Sequence, residues 1–158
     1  MTKRADYALL ALSHLTLAAA VDPARLVNTR EIAEQYDIPV ELLAKILQIL
    51  AKNALIASHP GPSGGYRLCR KPSEISVAEV VILIDGPVSL MHCTDLGGGM
   101  CRQYSRCTIR DPLAEIETRV KNLLDTISIE EISMPAPSSE PALPDFSKRA
   151  FATGLTVK

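Results

Sequence analysis

The stretch CTDLGGGMCRQYSRC, from Cys93 to Cys107, carries three of the chain's four cysteines within fifteen residues, spaced C-x7-C-x5-C. Between the thiols stand three glycines, Arg102 and Arg106, and almost nothing apolar, so the segment is no core. Three thiols this close can hold a metal centre, form one disulfide with a thiol left over, or do neither. Tetrahedral zinc is chemically possible with one more ligand, but zinc sites usually show closely paired ligands such as C-x2-C. A purely thiol-based switch needs no metal at all. The fourth cysteine, Cys69, lies far from this loop in sequence and fits a small strand residue without chemistry.

Other residues must position these thiols. A chain of 158 residues suggests one domain, or a compact domain with appendages. Hydrophobic residues make up 47%, enough for a real core, and with no Trp and only 4% aromatics that core is aliphatic. The formal net charge of −1 carries no overall basic signature for nucleic acid, although partners meet local charge and not the average. At the N-terminus, Lys3 and Arg4 precede an apolar run that ends in Ala18, Ala19 and Ala20. That is the outline of a secretory signal. Against it, Asp6 opens the run and Ser13, His14 and Thr16 interrupt it. A membrane span would need about 20 mainly apolar residues. A buried amphipathic helix fits better, with Tyr7, Ala11, Leu15 and Ala18 near one face and Leu12 and Ala19 beside it. The expectation is therefore a cytoplasmic protein without a membrane partner. Clustered cysteines there are more often metal ligands or reactive groups than disulfides.

Further along, Asn28 or Thr29 can cap a short helix with Glu31 in its first turn. YDIP breaks that helix, and Pro39 suits the first turn of the next, PVELLAKILQILAKNA. Its Leu43, Ile46, Leu47 and Leu50 recur at core spacing, and Glu41, Lys45, Gln48 and Lys52 form the opposite, polar face. Leu55–Ser58 and Tyr66–Cys69 read as two strands joined by the turn HPGPSGG. Ser73 or Ser76 caps a short helix, the cysteine loop runs from about His92 to Thr108, and Leu113, Ile116, Val120, Leu123 and Leu124 mark a helix whose apolar stripe needs a cover. From Met134 on, the Pro-, Ser- and Ala-rich sequence has no periodicity and fits a disordered tail.

A helix, a short helix, a second amphipathic helix and a Gly-rich hairpin make a winged helix-turn-helix: a mainly α fold with a small β-hairpin wing. The second helix of such a pair buries one face and offers the other to the DNA major groove. The hairpin lies along the backbone or enters the minor groove. The expected DNA-facing residues are Thr29, Glu41, Lys45, Gln48, Lys52, His59, Ser63 and Gly64. Lys45 and Lys52 bring positive charge, Gln48 can contact base edges, and Glu41 can accept from cytosine N4 or merely repel phosphate. The sequence divides into a DNA-binding part (1–72), a cysteine-loop and dimerisation-helix part (73–132) and a tail (133–158).

DYALLAL, IPVELLAKILQILAKNALI, GPSGGYRL and SVAEVVILIDGP together resemble a family of winged-helix bacterial regulators. That family includes the iron–sulfur cluster assembly repressor IscR, the nitric-oxide sensor NsrR and the rhizobial iron regulator RirA. The resemblance covers about residues 2 to 132. It implies a homodimer on a palindromic double-stranded operator, joined through a long helix and controlled by a 2Fe–2S or 4Fe–4S cluster. Cys93, Cys101 and Cys107 match the family's three ligands by place, with gaps more like the iron regulator's than the assembly repressor's. Three thiolates can hold such a cluster when a fourth ligand comes from elsewhere. In the assembly repressor a histidine lies three residues after the last cysteine; here that position is Arg110, which cannot serve. In one nitric-oxide sensor an acidic residue near the N-terminus reaches over from the other subunit, and the matching residue is Asp6. His92, an exogenous thiol, water or no ligand are the alternatives. Other readings are a cluster-free thiol-switch or protein-binding regulator of this fold, and a small redox carrier. The sequence offers no nucleophile–base pair for an enzyme.

Overall fold

A computed structural model describes residues 1–61, 64–90 and 102–134. The described part is mostly helical with one small sheet. Helices α1 (Lys3–Val21), α2 (Thr29–Tyr36) and α3 (Val40–Lys52) come first. Strands β1 (Ile56–His59) and β2 (Gly65–Leu68) follow, then α4 (Val77–Asp85), α5 (Arg110–Thr126) and α6 (Ile129–Ser133). This is the winged helix-turn-helix with a long added helix that the pattern predicts. No described helix is long and apolar enough to cross a membrane.

The first helix is the hub. Ala5, Ala8, Ala11 and Ala18 on α1 are buried together with Leu12 and Leu15. Alanine lets neighbouring backbones come close, so one helix meets α2, α3, α4, α6 and β2. The core it organises joins residues from both halves of the chain: Ile32, Leu43, Ile46, Leu47 and Leu50, but also Ile75, Val80, Val81 and Ile129. Each fully buried Leu or Ile contributes about 1.5–3 kcal/mol.

Local signals set the helix ends. Asn28, not Thr29, caps α2, its Oδ1 accepting the Glu31 N–H at 2.9 Å. Thr29 is the first helical residue. Asp37 then takes a left-handed conformation (φ 52°), and the Ile38 N–H returns to the Ala33 carbonyl at 2.9 Å. Pro39 lies one step outside α3, at its cap, and not in its first turn as expected. Its missing N–H costs nothing there. Ser76, not Ser73, caps α4, accepting the Glu79 N–H at 3.1 Å. Ser128 and Glu131 form a reciprocal capping box at α6, a helix the sequence reading did not include.

The hairpin is shifted by one residue from expectation, pairing Ile56 with Leu68 and His59 with Gly65. Cys69 follows β2 and donates its N–H to the Leu55 carbonyl at 3.0 Å. Val27 adds a third, single-residue rung, trading N–H and carbonyl with Tyr66 at 3.0 and 2.8 Å. Gly65 makes this contact possible, because a Cβ there would lie 2.6 Å from the Val27 carbonyl oxygen.

The end of α3 generates a prediction. Ala54 is left-handed (φ 56°), while the Leu55 N–H bonds the Leu50 carbonyl and the Ala54 N–H bonds the Ala51 carbonyl, both at 3.1 Å. That is a Schellman motif, whose left-handed position favours glycine. Ala54→Gly should stabilise the fold by about 0.5–1 kcal/mol and raise Tm by a few degrees. Gly65→Ala should lower Tm. Equal melting curves for the two variants would contradict both assignments.

Candidate functional site

The helix pair α2 and α3 presents a clean division of faces. Leu43, Ile46, Leu47 and Leu50 are buried, and Glu41, Lys45, Gln48 and Lys52 are exposed. None of these four has a hydrogen bond or ion pair among the described residues, so their polar ends face solvent. The wing forms a shallow groove of about 220 Å³ with the start of α2, lined by Asn28, Thr29, His59 and Gly64 among others. His59 Nε2 is buried there without a hydrogen-bond partner. Gly64 packs so tightly that a Cβ would collide with the His59 carbonyl oxygen at 2.3 Å. Ser63 lies outside the described residues.

Two basic residues were missed by the sequence reading. Arg67 projects from β2 opposite Ala57, exposed between the half-buried Tyr66 and Leu68. The period-two alternation of a half-buried strand was a signal for it. Arg30 is exposed in the first turn of α2. By contrast, an open groove of about 620 Å³ between α4, α5 and α6 is lined by Glu74, Glu79, Asp125, Glu130 and Glu131. One of these carboxylates, Glu79, pairs with Arg70 at 2.7 Å.

Of the three clustered cysteines, Cys107 is described. It is a free, half-buried thiol just ahead of α5. Cys93, Cys101 and His92 lie outside the described residues. Among the described residues no three His, Cys, Asp or Glu side chains converge on a metal position. Next to Cys107, residues 104–106 form a short 3-10 turn. Arg110 begins α5, stacks 4.6 Å over the Tyr104 ring and donates to Asp111 Oδ1 at 2.7 Å. Its pKa is held above the ordinary guanidinium value, first by the Asp111 hydrogen bond and charge, with smaller contributions from Tyr104 and Cys107.

The roots of the cysteine loop are anchored. On the entry side, Asp85 at the end of α4 accepts the Thr2 N–H at 2.7 Å and the Thr2 hydroxyl at 2.5 Å. Burial pushes the Asp85 carboxyl up, but the two Thr2 bonds, the N-terminal ammonium and Arg4 outweigh it and hold it below its ordinary value. This tie brings the first turn of α1, which carries the half-buried Asp6, to the base of the loop. A few residues on, the Leu90 N–H donates to Glu117 Oε2 at 3.0 Å, while Lys121 Nζ donates to Oε1 at 2.6 Å. Glu117, 9% exposed, is the buried residue of α5. Sequence reasoning missed it, because the local pattern shows only a charge between apolar positions.

The rest of α5 is open. Ile109, Leu113, Ile116, Val120 and Leu123 follow a 4-3-4-3 spacing, the seam of a two-helix coil. Ile116 and Leu123 are 47% and 60% exposed. Only the far end of α5 is bolted to the core. There the Ser76 hydroxyl donates to Asp125 at 3.0 Å, and backbone bonds of 2.9 Å join Val77 to Ile127 and Ile129 to Ile75. Elsewhere, His14 is half-buried, with Nε2 3.4 Å from Glu31 Oε1 and its ring edge-on to Tyr36, as a satisfied structural histidine should be.

Comparison with known proteins gives consistent results. The family pattern Rrf2, described as an iron-dependent transcriptional regulator, matches residues 1–134. The chain is 33% identical over 132 residues to the HTH-type transcriptional regulator IscR of Aliivibrio salmonicida, covering 84% of this chain and 76% of that one. Among solved structures, Staphylococcus aureus CymR superposes with a TM-score of 0.67 at 20% identity, covering 87% of this chain and 100% of CymR. The IscR of T. potens superposes with a TM-score of 0.64 at 19% identity, covering 84% of each chain. At such identities these two structures bear on the fold alone.

Glu117 makes a pH prediction. The Lys121 hydrogen bond, then the Leu90 N–H, hold its carboxyl below the ordinary value of 4.5, with burial opposing them. A depressed acid contributes stability that is fully present above its unfolded value and is lost as pH falls through the native one. Glu117→Gln should therefore lower Tm at pH 7 and flatten the acid limb of the stability curve. Hydrogen exchange should show faster exchange of the Leu90 amide. An unaltered acid limb would remove Glu117 from this role.

Proposed function

The chain belongs to the Rrf2 family of transcriptional regulators, and on that premise we propose that it is a homodimeric repressor whose operator affinity follows an iron–sulfur cluster. It is a DNA-binding regulator and not an enzyme. The observation that carries the reading of the interface is the exposed polar face of α3, whose Glu41, Lys45, Gln48 and Lys52 make no hydrogen bond or ion pair among the described residues. Lys45 and Lys52, with Arg30 and Arg67 nearby in the fold, supply phosphate contacts, and Gln48 and Glu41 face base edges. Thr29, His59, Ser63 and Gly64, at the start of α2 and on the wing, contact the phosphate backbone.

The dimer forms through α5. Its 4-3-4-3 apolar stripe is open in the single chain, and a second copy covers it symmetrically, matching a palindromic operator. Residues 1–72 then serve mainly DNA, and 73–132 the cysteine loop and the dimer. Cys93, Cys101 and Cys107 hold the cluster, with Asp6 of a second copy as fourth ligand. Support comes from the donor chemistry of three thiolates and from the free, half-buried Cys107 just ahead of α5. When bound, the cluster supplies a centre that iron supply, nitric oxide or oxidants alter. The chain's own part is transmission. The loop is rooted at Asp85 on Thr2, at Leu90 on Glu117 and at Cys107 ahead of α5, so its order bears on both α1 and α5. The α5 pair sets the distance between reading helices, which must match half-sites about one helical turn apart. The protein works in the cytoplasm, where the DNA is.

One set of measurements tests this. Protein purified without oxygen should be brown, and Cys93→Ala, Cys101→Ala and Cys107→Ala should each lose the colour and alter operator affinity. Cys69→Ala should do neither. Asp6→Ala should keep its fold and hold a labile or spectrally shifted cluster. Colourless native protein that still shifts its own promoter in a gel would overturn the cluster and leave a thiol switch.

The dimer and the reading helix are tested separately. Sedimentation at micromolar concentration should show a dimer, and a monomer would refute the α5 interface. Lys45→Ala should weaken binding across sequences and lower the salt slope by about one unit. Gln48→Ala should relax base preference more than it lowers affinity. A footprint unchanged by both would mean that α3 does not read the DNA.

A further inference from the structure

Val40 is the first residue of α3 and is 46% exposed, although it is branched and wholly apolar. It plays no part in the helix's buried stripe, which consists of Leu43, Ile46, Leu47 and Leu50. The two other large apolar residues of α3, Leu42 and Ile49, lean on the core. Val40 does not. Pro39 at the cap makes no side-chain hydrogen bond to the first turn, so no capping group is engaged there.

Position gives this exposed group a meaning. Scattered apolar residues on a surface need no explanation, but a reading helix meets base edges with its N-terminal residues. Val40 and Ala44 are i, i+4 neighbours, as are Ala44 and Gln48, so the three form a row that winds about 80° around the helix. The apolar pair Val40 and Ala44 thus continues the row that Gln48 occupies, beside the charged row of Glu41, Lys45 and Lys52. The major groove offers such a pair one apolar feature, the C5-methyl group of thymine. A β-branched side chain has a stiff χ1, so its methyl groups are held in place before the DNA arrives.

We propose that Val40 is a specificity-determining residue that reads a thymine in each operator half-site by packing on its C5-methyl group. The inference rests on the assignment of α3 as the reading helix and goes beyond it by naming the base and the atom.

The test is a cycle between a protein methyl and a DNA methyl. A duplex is selected by the wild-type protein from a random pool, thymines at the two symmetry-related positions of the half-sites are replaced together by deoxyuridine, pair by pair, and binding is followed by fluorescence anisotropy. One such pair should lose about sixteenfold in affinity for the wild type, about fourfold for the one buried methyl group in each half-site. Val40→Ala should lose a similar factor on the thymine duplex and nothing further on the deoxyuridine duplex. Its melting temperature should match the wild type, since Val40 is not in the core. Additive losses in the double change, or no sensitive thymine at all, would overturn the proposal. Lys45→Ala is measured in parallel. If it weakens binding while the cycle is additive, α3 lies on DNA and only the thymine assignment fails. If neither Lys45→Ala nor Val40→Ala changes binding, the reading helix itself is wrong and the proposal falls with it.

Discussion

The close packing of neighbours around the alanine face of α1 is the constraint on which the rest depends. Ala5, Ala8, Ala11 and Ala18 make one side of that helix nearly smooth, and Leu12 and Leu15 fill what is left. Larger side chains would push α3, α4 and α6 outward, and overpacking of that kind costs about 1–3 kcal/mol. Because all of these elements close on one helix, the reading helix, the root of the cysteine loop and the end of α5 share a single frame. The Thr2 to Asp85 tie extends the frame to the first turn of α1, where Asp6 sits.

Within that frame α5 is held unevenly. Its last turn is fixed by the Ser76 to Asp125 bond and by backbone pairing on both sides of Ser128, and Leu124 and Ile127 rest on the core. In its first half, with Cys107 ahead of it, only Glu117 is fully buried, where it receives the Leu90 amide. A lever fixed at one end and latched in the middle can pass a change at its free end to whatever binds along it. Carboxylates gather where α4, α5 and α6 meet, while α2, α3 and the wing carry charges of both signs.

Much of this was legible in advance because the signals are periodic or stereochemical. The core stripe of α3, its polar face, the hairpin glycines and the open stripe of α5 follow from side-chain spacing and backbone angles, which neighbours in sequence determine. Asp37 and the Pro39 stop were also local, although Pro39 falls at the cap and not inside the first turn. The α6 helix was within reach, because Ser128 and Glu131 already spell a capping box. It was overlooked because five residues give too short a period to notice.

Other features had no local signal. The Val27 rung on Tyr66, the exchange between Ser76 and Ser128, and the seat of Ile129 in the core each join residues far apart in the chain. Glu117 reads as one more charge on an amphipathic helix until the fold brings the Leu90 amide to it. The sequence by itself determined most of the elements, the division of faces on α3 and the clustering of three cysteines, since these depend on residue type and short-range spacing. Only the tertiary structure decided which carboxylates tie the loop to α1 and α5. It also decided which glycine must stay bare, and that Val40 would be left open to solvent. Those outcomes are set by what packs across the chain, and no local pattern records it.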